Sequence, residues 1–177
     1  MKKLLTFYLT IAAATTAFAQ QENVLKINIF SPIVKTFNVQ YEKKLKEDAS
    51  FQLGFFYTGY SVSETTFSGF GITPEYRFYL SDTSAPEGVY IAPFVRYQNF
   101  SLTESISNGK GTLSGFGGGL ILGKQWIFKE KIVLDIFIGP NYSSGSLKVT
   151  SGNNVDFQTG VFDGFGIRTG LCFGYAF

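Results

Sequence analysis

From Leu171 the chain alternates strictly: Leu171, Phe173, Tyr175 and Phe177 are large and apolar, while Cys172, Gly174 and Ala176 are small. A period of two marks a β-strand with one apolar face and excludes a helix there. The apolar face is mostly aromatic, and the other face offers almost no bulk. A strand in a water-soluble domain rarely presents four such groups to one side. A barrel strand facing lipid does so routinely, with aromatics at the level of the head groups.

The same alternation runs back through the chain and predicts eight strands. They are Val24–Phe30, Thr36–Leu45, Ser50–Tyr60, Phe67–Leu80, Val89–Leu102, Thr112–Phe128, Lys131–Tyr142 and Phe162–Phe177. Strands 2 and 3 are joined by Lys46-Glu47-Asp48-Ala49, strands 6 and 7 by Lys129-Glu130, and strands 4 and 5 by Ser81–Gly88 with its Pro86. The connections Thr103–Gly111 and Ser143–Val161 are longer and polar. Short turns on one side and long loops on the other predict an all-β fold, an eight-stranded antiparallel up-and-down transmembrane β-barrel. Both termini then fall on the periplasmic, short-turn side.

Parity tests that expectation. One set holds Leu25, Ile27, Phe37, Val39, Leu53, Phe55, Ile72, Val95, Leu120, Leu122, Ile136, Ile138 and Ile167. The opposite set holds Lys26, Gln40, Glu42, Gln52, Glu75, Arg77, Arg96, Gln98, Gln125, Asp135 and Arg168. A lipid-facing Arg or Lys near the midplane costs ~2–4 kcal/mol. Exposing Arg77, Arg96 and Arg168 together would cost on the order of 6–12 kcal/mol, as much as a domain's whole stability. The charged face must therefore be the lumen. Lys124 has lipid-facing parity, but beside Trp126 near a strand end it can snorkel to the head groups.

The aromatics sort by height. Tyr41, Tyr76, Trp126 and Tyr175 map to the short-turn end, and Tyr57, Tyr97 and Tyr142 to the other. Two such girdles bound a membrane barrel. A soluble lipocalin-like barrel would need the reverse parity, with its apolar face inside around a ligand.

The N-terminus reads as an export signal over residues 1–19, with the barrel domain over residues 20–177. Lys2 and Lys3 precede the apolar stretch Leu4–Thr16, and Ala17-Phe18-Ala19 supplies a small-x-small cleavage site. Removing Lys2 and Lys3 from the 15 basic residues leaves 13, equal to the 13 acidic ones. The basic excess thus belongs to the signal, and no nucleic-acid footprint remains. The single Cys172 allows no internal disulfide.

An eight-stranded lumen is just filled by side chains. Lys26, Glu42, Glu75, Arg77, Arg96, Asp135 and Arg168 would occupy it, four positive groups against three negative. Near-balance favours a salt-bridged plug, in which removing one partner, Arg96 for example, strands a carboxylate. The alternatives are a narrow channel for small solutes or an enzyme using Glu75 or Asp135. There is no His, so neither Ser-His-Asp nor Cys-His activation is available, nor any His-based metal site. No catalytic residue, cofactor or metal ligand is assigned. Inward glycines on strands 6 and 8, including Gly119, Gly123, Gly170 and Gly174, leave room for bulky neighbours such as Phe56 and Phe94. The run Gly115-Phe116-Gly117-Gly118-Gly119 lies in a strand-period segment, where a phosphate-binding loop does not form.

Interaction surfaces are expected in two places besides the lipid itself. Leu147–Thr150 and Val155–Gln158 flank Ser151-Gly152-Asn153-Asn154, a sequence suited to a hairpin turn. Strands 7 and 8 would then project beyond the bilayer, and strands 5 and 6 likewise. The loops 103–111 and 143–161 are the expected sites for an extracellular protein partner.

The segments Lys26-Ile27-Asn28, Phe37–Glu42, Gly71–Tyr79 and Ala92–Tyr97 resemble small outer-membrane barrel proteins common in Bacteroidota, grouped as a family of unknown function. The architecture is similar to the OmpX and OmpA transmembrane class. The ending Phe173, Tyr175, Phe177 resembles the C-terminal strand of bacterial outer-membrane barrels, which implies recognition by the barrel-insertion machinery. The resemblance implies fold and a bacterial outer-membrane location. It implies no activity, and the small barrel enzymes known in that membrane rest on an active-site His.

Overall fold

The computed structural model describes residues 22–62, 65–104, 109–151 and 163–177. The expected export signal over 1–19, the loop tip 105–108 and the hairpin centre 152–162 lie outside the described residues. Eight strands are present: β1 (Asn23–Asn28), β2 (Thr36–Lys46), β3 (Ala49–Val62), β4 (Thr65–Tyr79), β5 (Gly88–Glu104), β6 (Lys110–Phe128), β7 (Ile132–Ser151) and β8 (Gly164–Ala176). Each pairs antiparallel with the next, and β8 returns to β1, so the sheet is a closed barrel. At the seam the Asn23 and Phe177 backbones exchange two hydrogen bonds, at 3.1 and 2.9 Å.

Several boundaries differ from the sequence reading, those of the first and seventh strands among them. The first strand stops at Asn28 rather than Phe30. The Asn28 side chain accepts the Phe30 amide proton at 3.0 Å, and Ser31–Val34 then winds into a single 3-10 turn. A side chain that bonds its own backbone two residues on offers an alternative to the ladder, and Pro32 has no N–H to continue it. The seventh strand, expected to end at Tyr142, runs on to Ser151. The extension contains the hairpin arm expected at Leu147–Thr150 and is laddered against Lys110–Gly117 of β6, with one irregularity between Lys110 and Gly111. Within the 103–111 connection, Thr103, Glu104, Lys110 and Gly111 are likewise strand.

The β6–β7 turn places Lys129 at φ 50° and Glu130 at φ 62°. Two consecutive left-handed residues suit the right-handed twist of a hairpin, here without the usual Asn-Gly. The β4–β5 segment folds back over the short-turn end. Ala85 is buried there and donates its amide to the Glu47 carbonyl at 2.7 Å.

Paired residues traced once around the sheet run Val24, Glu42, Gln52, Glu75, Phe94, Gly119, Asn141, Gly166. Val24 itself pairs with Ala176, ten residues beyond Gly166. That stagger tilts the strands about 40° from the barrel axis, the range for a closed eight-stranded barrel.

The two parities separate as inside and outside. No member of the apolar set is buried, and Leu122 and Ile138 are 54% and 57% exposed. Lys26, Gln40, Glu42, Gln52, Glu75, Arg77, Gln125 and Asp135 are all buried in the lumen. Bulky inward rings occupy glycine positions. Phe94 packs at Gly119 of β6 as expected, whereas Phe56 fills the space at Gly71 of β4, and Tyr90 lies at Gly123, where any Cβ would meet its ring.

Candidate functional site: the charged layer of the lumen

The ionic layer is assembled from inward positions of five strands. Lys26 on β1 reaches across to Glu42 on β2 (2.6 Å) and Asp135 on β7 (3.0 Å). Arg77 on β4 joins the same two carboxylates, at 3.3 Å to Glu42 and 2.9 Å to Asp135, and holds Glu75 through Nε at 2.7 Å. Arg168 on β8 takes the other Glu75 oxygen at 2.8 Å. Lys26, Glu42, Glu75, Arg77 and Asp135 have no exposed surface on their side chains. The ionic groups therefore meet directly across the axis.

Neutral side chains supply most of the remaining coordination, and of the buried side-chain atoms only Arg77 Nη2 and Gln52 Oε1 are left without a partner among the described residues. Glu42 Oε1 accepts from the hydroxyls of Tyr79 (2.6 Å) and Ser50. Asp135 Oδ1 accepts from the Tyr90 hydroxyl at 2.8 Å. Gln125 is the linker: its Oε1 receives Lys26 and Arg77, and its Nε2 donates to Glu42 and to the Pro86 carbonyl of the capping segment. Such satisfaction is what makes buried charge tolerable, because each ion's desolvation is offset only by good geometry on every oxygen. Ser50, Tyr79 and Tyr90 were not picked out by reading charges alone. Their signal was parity, since each occupies an inward position of its strand.

Arg96 stands apart, which corrects the expected seven-member network. It makes no salt bridge with a described residue. Its Nε donates to Thr73 Oγ1 at 3.1 Å, and its Cζ lies 5.6 Å from the Phe56 ring centroid and 6.0 Å from that of Phe94. The physical reason is competition. Glu75, the carboxylate that could serve it, is already divided between Arg77 and Arg168.

Below the layer, Val24, Val133 and Ala176 form a small apolar floor at the short-turn end. Above it lies a polar cavity of about 470 Å³, with Arg96 and Arg168 among its lining residues. Cys172 is buried beside Gln40 at 3.4 Å, within a cluster that includes Tyr79, Tyr90, Phe94 and Phe137. Its surroundings are aromatic rather than the small groups its strand neighbours suggest. The glycine run 115–119 lies inside β6. Among the described residues no group of His, Cys, Asp and Glu could hold a metal ion.

The outer wall carries the aromatic positions. Tyr41, Tyr57, Tyr97 and Tyr142 are exposed, while Tyr76 and Trp126 are half-buried among neighbours. Tyr76 packs on Phe78 with centroids 4.7 Å apart, and Lys124 Nζ sits 5.1 Å from the Trp126 ring centroid. Phe173, Tyr175 and Phe177 project outward from the end of the chain, each about half exposed.

No curated protein and no solved structure matches the chain. One family does, described as protein of unknown function (DUF3575), and its match covers residues 5–148. That span contains Lys26, Glu42, Glu75, Arg77 and Asp135, so all but one of the ion-paired residues in the lumen lie within it. The chain belongs to the DUF3575 family of proteins of unknown function.

Proposed function

We propose that the protein is an integral outer-membrane β-barrel with a structural or surface-interaction role, its lumen closed by the paired charge layer. The observation that carries this reading is the inversion of the wall. Exposed positions are aliphatic and aromatic, from Leu25, Ile27 and Leu53 round to Leu122, Ile136 and Ile138, while the ion pairs are buried at the axis. Water would reward the opposite arrangement, and hydrocarbon rewards this one.

Strand length supports the surface role. β7 has 20 residues and β6 has 19. At ~3.3 Å per residue and a tilt of about 40° they rise roughly 50 Å, about twice the ~25 Å apolar band of such barrels. The surplus, with the 103–111 and 143–161 connections, is the face offered to an extracellular protein partner. The outward Phe173, Tyr175 and Phe177 are the face offered to the insertion machinery. A solute channel is disfavoured by the layer itself, whose side chains meet across the lumen at hydrogen-bonding distance.

Cell fractionation combined with gel mobility of boiled and unboiled samples tests the proposal. The expected result is recovery with outer membranes and a heat-dependent shift. Recovery of the mature chain as a soluble monomer would overturn it, and steady conductance of the wild type in planar bilayers would overturn the closed lumen.

A further inference from the structure

The charge layer does not balance. Lys26, Arg77, Arg96 and Arg168 face Glu42, Glu75 and Asp135, which leaves one positive charge over. The geometry locates the surplus. Arg96 spends one N–H on Thr73, and its terminal nitrogens make no hydrogen bond with a described residue. Arg168 commits Nη1 to Glu75. Both guanidinium groups lie near the same ring, with Cζ 6.0 Å and 4.3 Å from the Phe94 centroid. Two fork-shaped cations thus stand about one ring, and the one carboxylate bonded to either of them, Glu75, is shared between Arg168 and Arg77.

Both line the polar cavity of about 470 Å³, whose wall also presents the amides of Asn38, Gln40, Gln98 and Asn141. Amide N–H groups and free guanidinium N–H groups are the donors that oxyanions accept from, and Arg is suited to carboxylate and phosphate by its fork. The cavity is reachable from the side. Because β1 ends at Asn28, Gly164–Gly170 of β8 pair with β7 but with no described strand on their other edge. The cavity meets this low stretch of wall, between Asn28 and Ser31 on one side and Gly166 and Ile167 on the other.

We propose that this cavity is an anion site, in which Arg96 and Arg168 together hold a phosphate or carboxylate group that completes the charge balance of the lumen. The group is carried either by a small solute or by the head group of an anionic lipid entering over the low wall. The site does not depend on the membrane reading, since a soluble barrel would hold the anion in the same cavity.

The test uses the purified protein in two arms. In detergent micelles, inorganic phosphate is titrated calorimetrically. In nanodiscs, retention of phosphatidylglycerol over phosphatidylcholine is read by native mass spectrometry. Two variants accompany the wild type. Arg96→Gln removes the unpaired cation, and Asn38→Asp keeps the oxygen that accepts from Gln40 while adding a negative charge to the wall. Saturable phosphate binding that weakens at least tenfold in either variant supports the site with a solute ligand. Selective retention of phosphatidylglycerol that either variant abolishes supports it with a lipid ligand. Lys124→Gln, on the outer wall, should leave phosphate binding in micelles unchanged. If Arg96→Gln does not give a folded barrel, Asn38→Asp decides alone. Absence of both phosphate binding and lipid selectivity in the wild type overturns the proposal. So does binding that survives unchanged in the folded variants.

Discussion

Arg77 lies over the face of Tyr90, its Cζ 4.1 Å from the ring centroid. The same tyrosine donates its hydroxyl to Asp135, the carboxylate that Arg77 also binds. One residue therefore serves the cation through its ring and the anion through its oxygen. Tyr90→Phe separates the two services, keeping the ring and deleting the donor. Hydrogen bonds to charged groups contribute ~1.5–3 kcal/mol, and a loss in that range is expected. Unfolding of the detergent-solubilised barrel in denaturant measures it, and an unchanged midpoint would show that the hydroxyl is dispensable.

Arg77, fully buried, and Arg96, half-buried, differ in what depends on them. Arg77→Met leaves Glu42, Glu75 and Asp135 each short of a cation. Stranding buried charge in this way is destabilising by ~3–5 kcal/mol. Arg96→Met strands no carboxylate and should shift the same transition by less than half as much. Equal losses in the two variants would mean that Arg96 is wired into the layer after all.

On the outer wall the sign of the medium is the question. Ile138 pairs with Leu122 and both are more than half exposed. Ile138→Arg should cost ~2–4 kcal/mol in a bilayer and lower the yield of assembled barrel in membrane fractions. In a barrel surrounded by water the same change would be neutral. Quantitative refolding into lipid vesicles distinguishes the two outcomes.

A proton-linked contact lies at the short-turn end. Ser84 first, by hydrogen bond, and then Lys44, by hydrogen bond and charge, hold the Glu47 carboxyl below the ordinary glutamate range. A depressed folded value means that the contribution is complete above the unfolded value of about 4.3 and disappears as pH falls through the folded one. Protection of the Ala85 amide, which donates to the Glu47 carbonyl, is the readout. Wild type should exceed Glu47→Gln at neutral pH, with the gap closing in acid. A gap that persists at pH well below 4 would assign the difference to something other than ionisation.

How much of this was legible beforehand depends on which period carried the information. Parity is set by the pleat, so the inward placement of Lys26, Glu42, Arg77 and Asp135 followed from alternation alone. Strand ends depend on local competition, and the first strand stops two residues early because Asn28 captures its own backbone. The projection of the seventh strand is legible at Leu147–Thr150, but Ser143 to Ser146, which join it to the rest, carry no apolar alternation of their own. Pairing across the lumen depends on height and stagger. Parity put Arg96 among the charges, and only the three-dimensional register showed Glu75 already taken. The roles of Tyr79 and Tyr90 escaped because a tyrosine's apolar bulk hides its donor until a carboxylate is placed beside it.

Seven of the eight strand pairings are between neighbours in sequence, and β1 with β8 is the exception. Asn23 and Phe177 are 154 positions apart, so the entropy of joining distant chain segments is concentrated in that one seam. β1 brings only six residues to it, too short a zipper to hold the ring by backbone bonds alone. Lys26 lies on that strand, and its bonds to Gln125 and Asp135 span 99 and 109 positions. The ammonium group of one lysine thus fastens the first strand to β6 and β7, across the seam. The lumen charges act as a clasp, made when the circle shuts and broken before it can open.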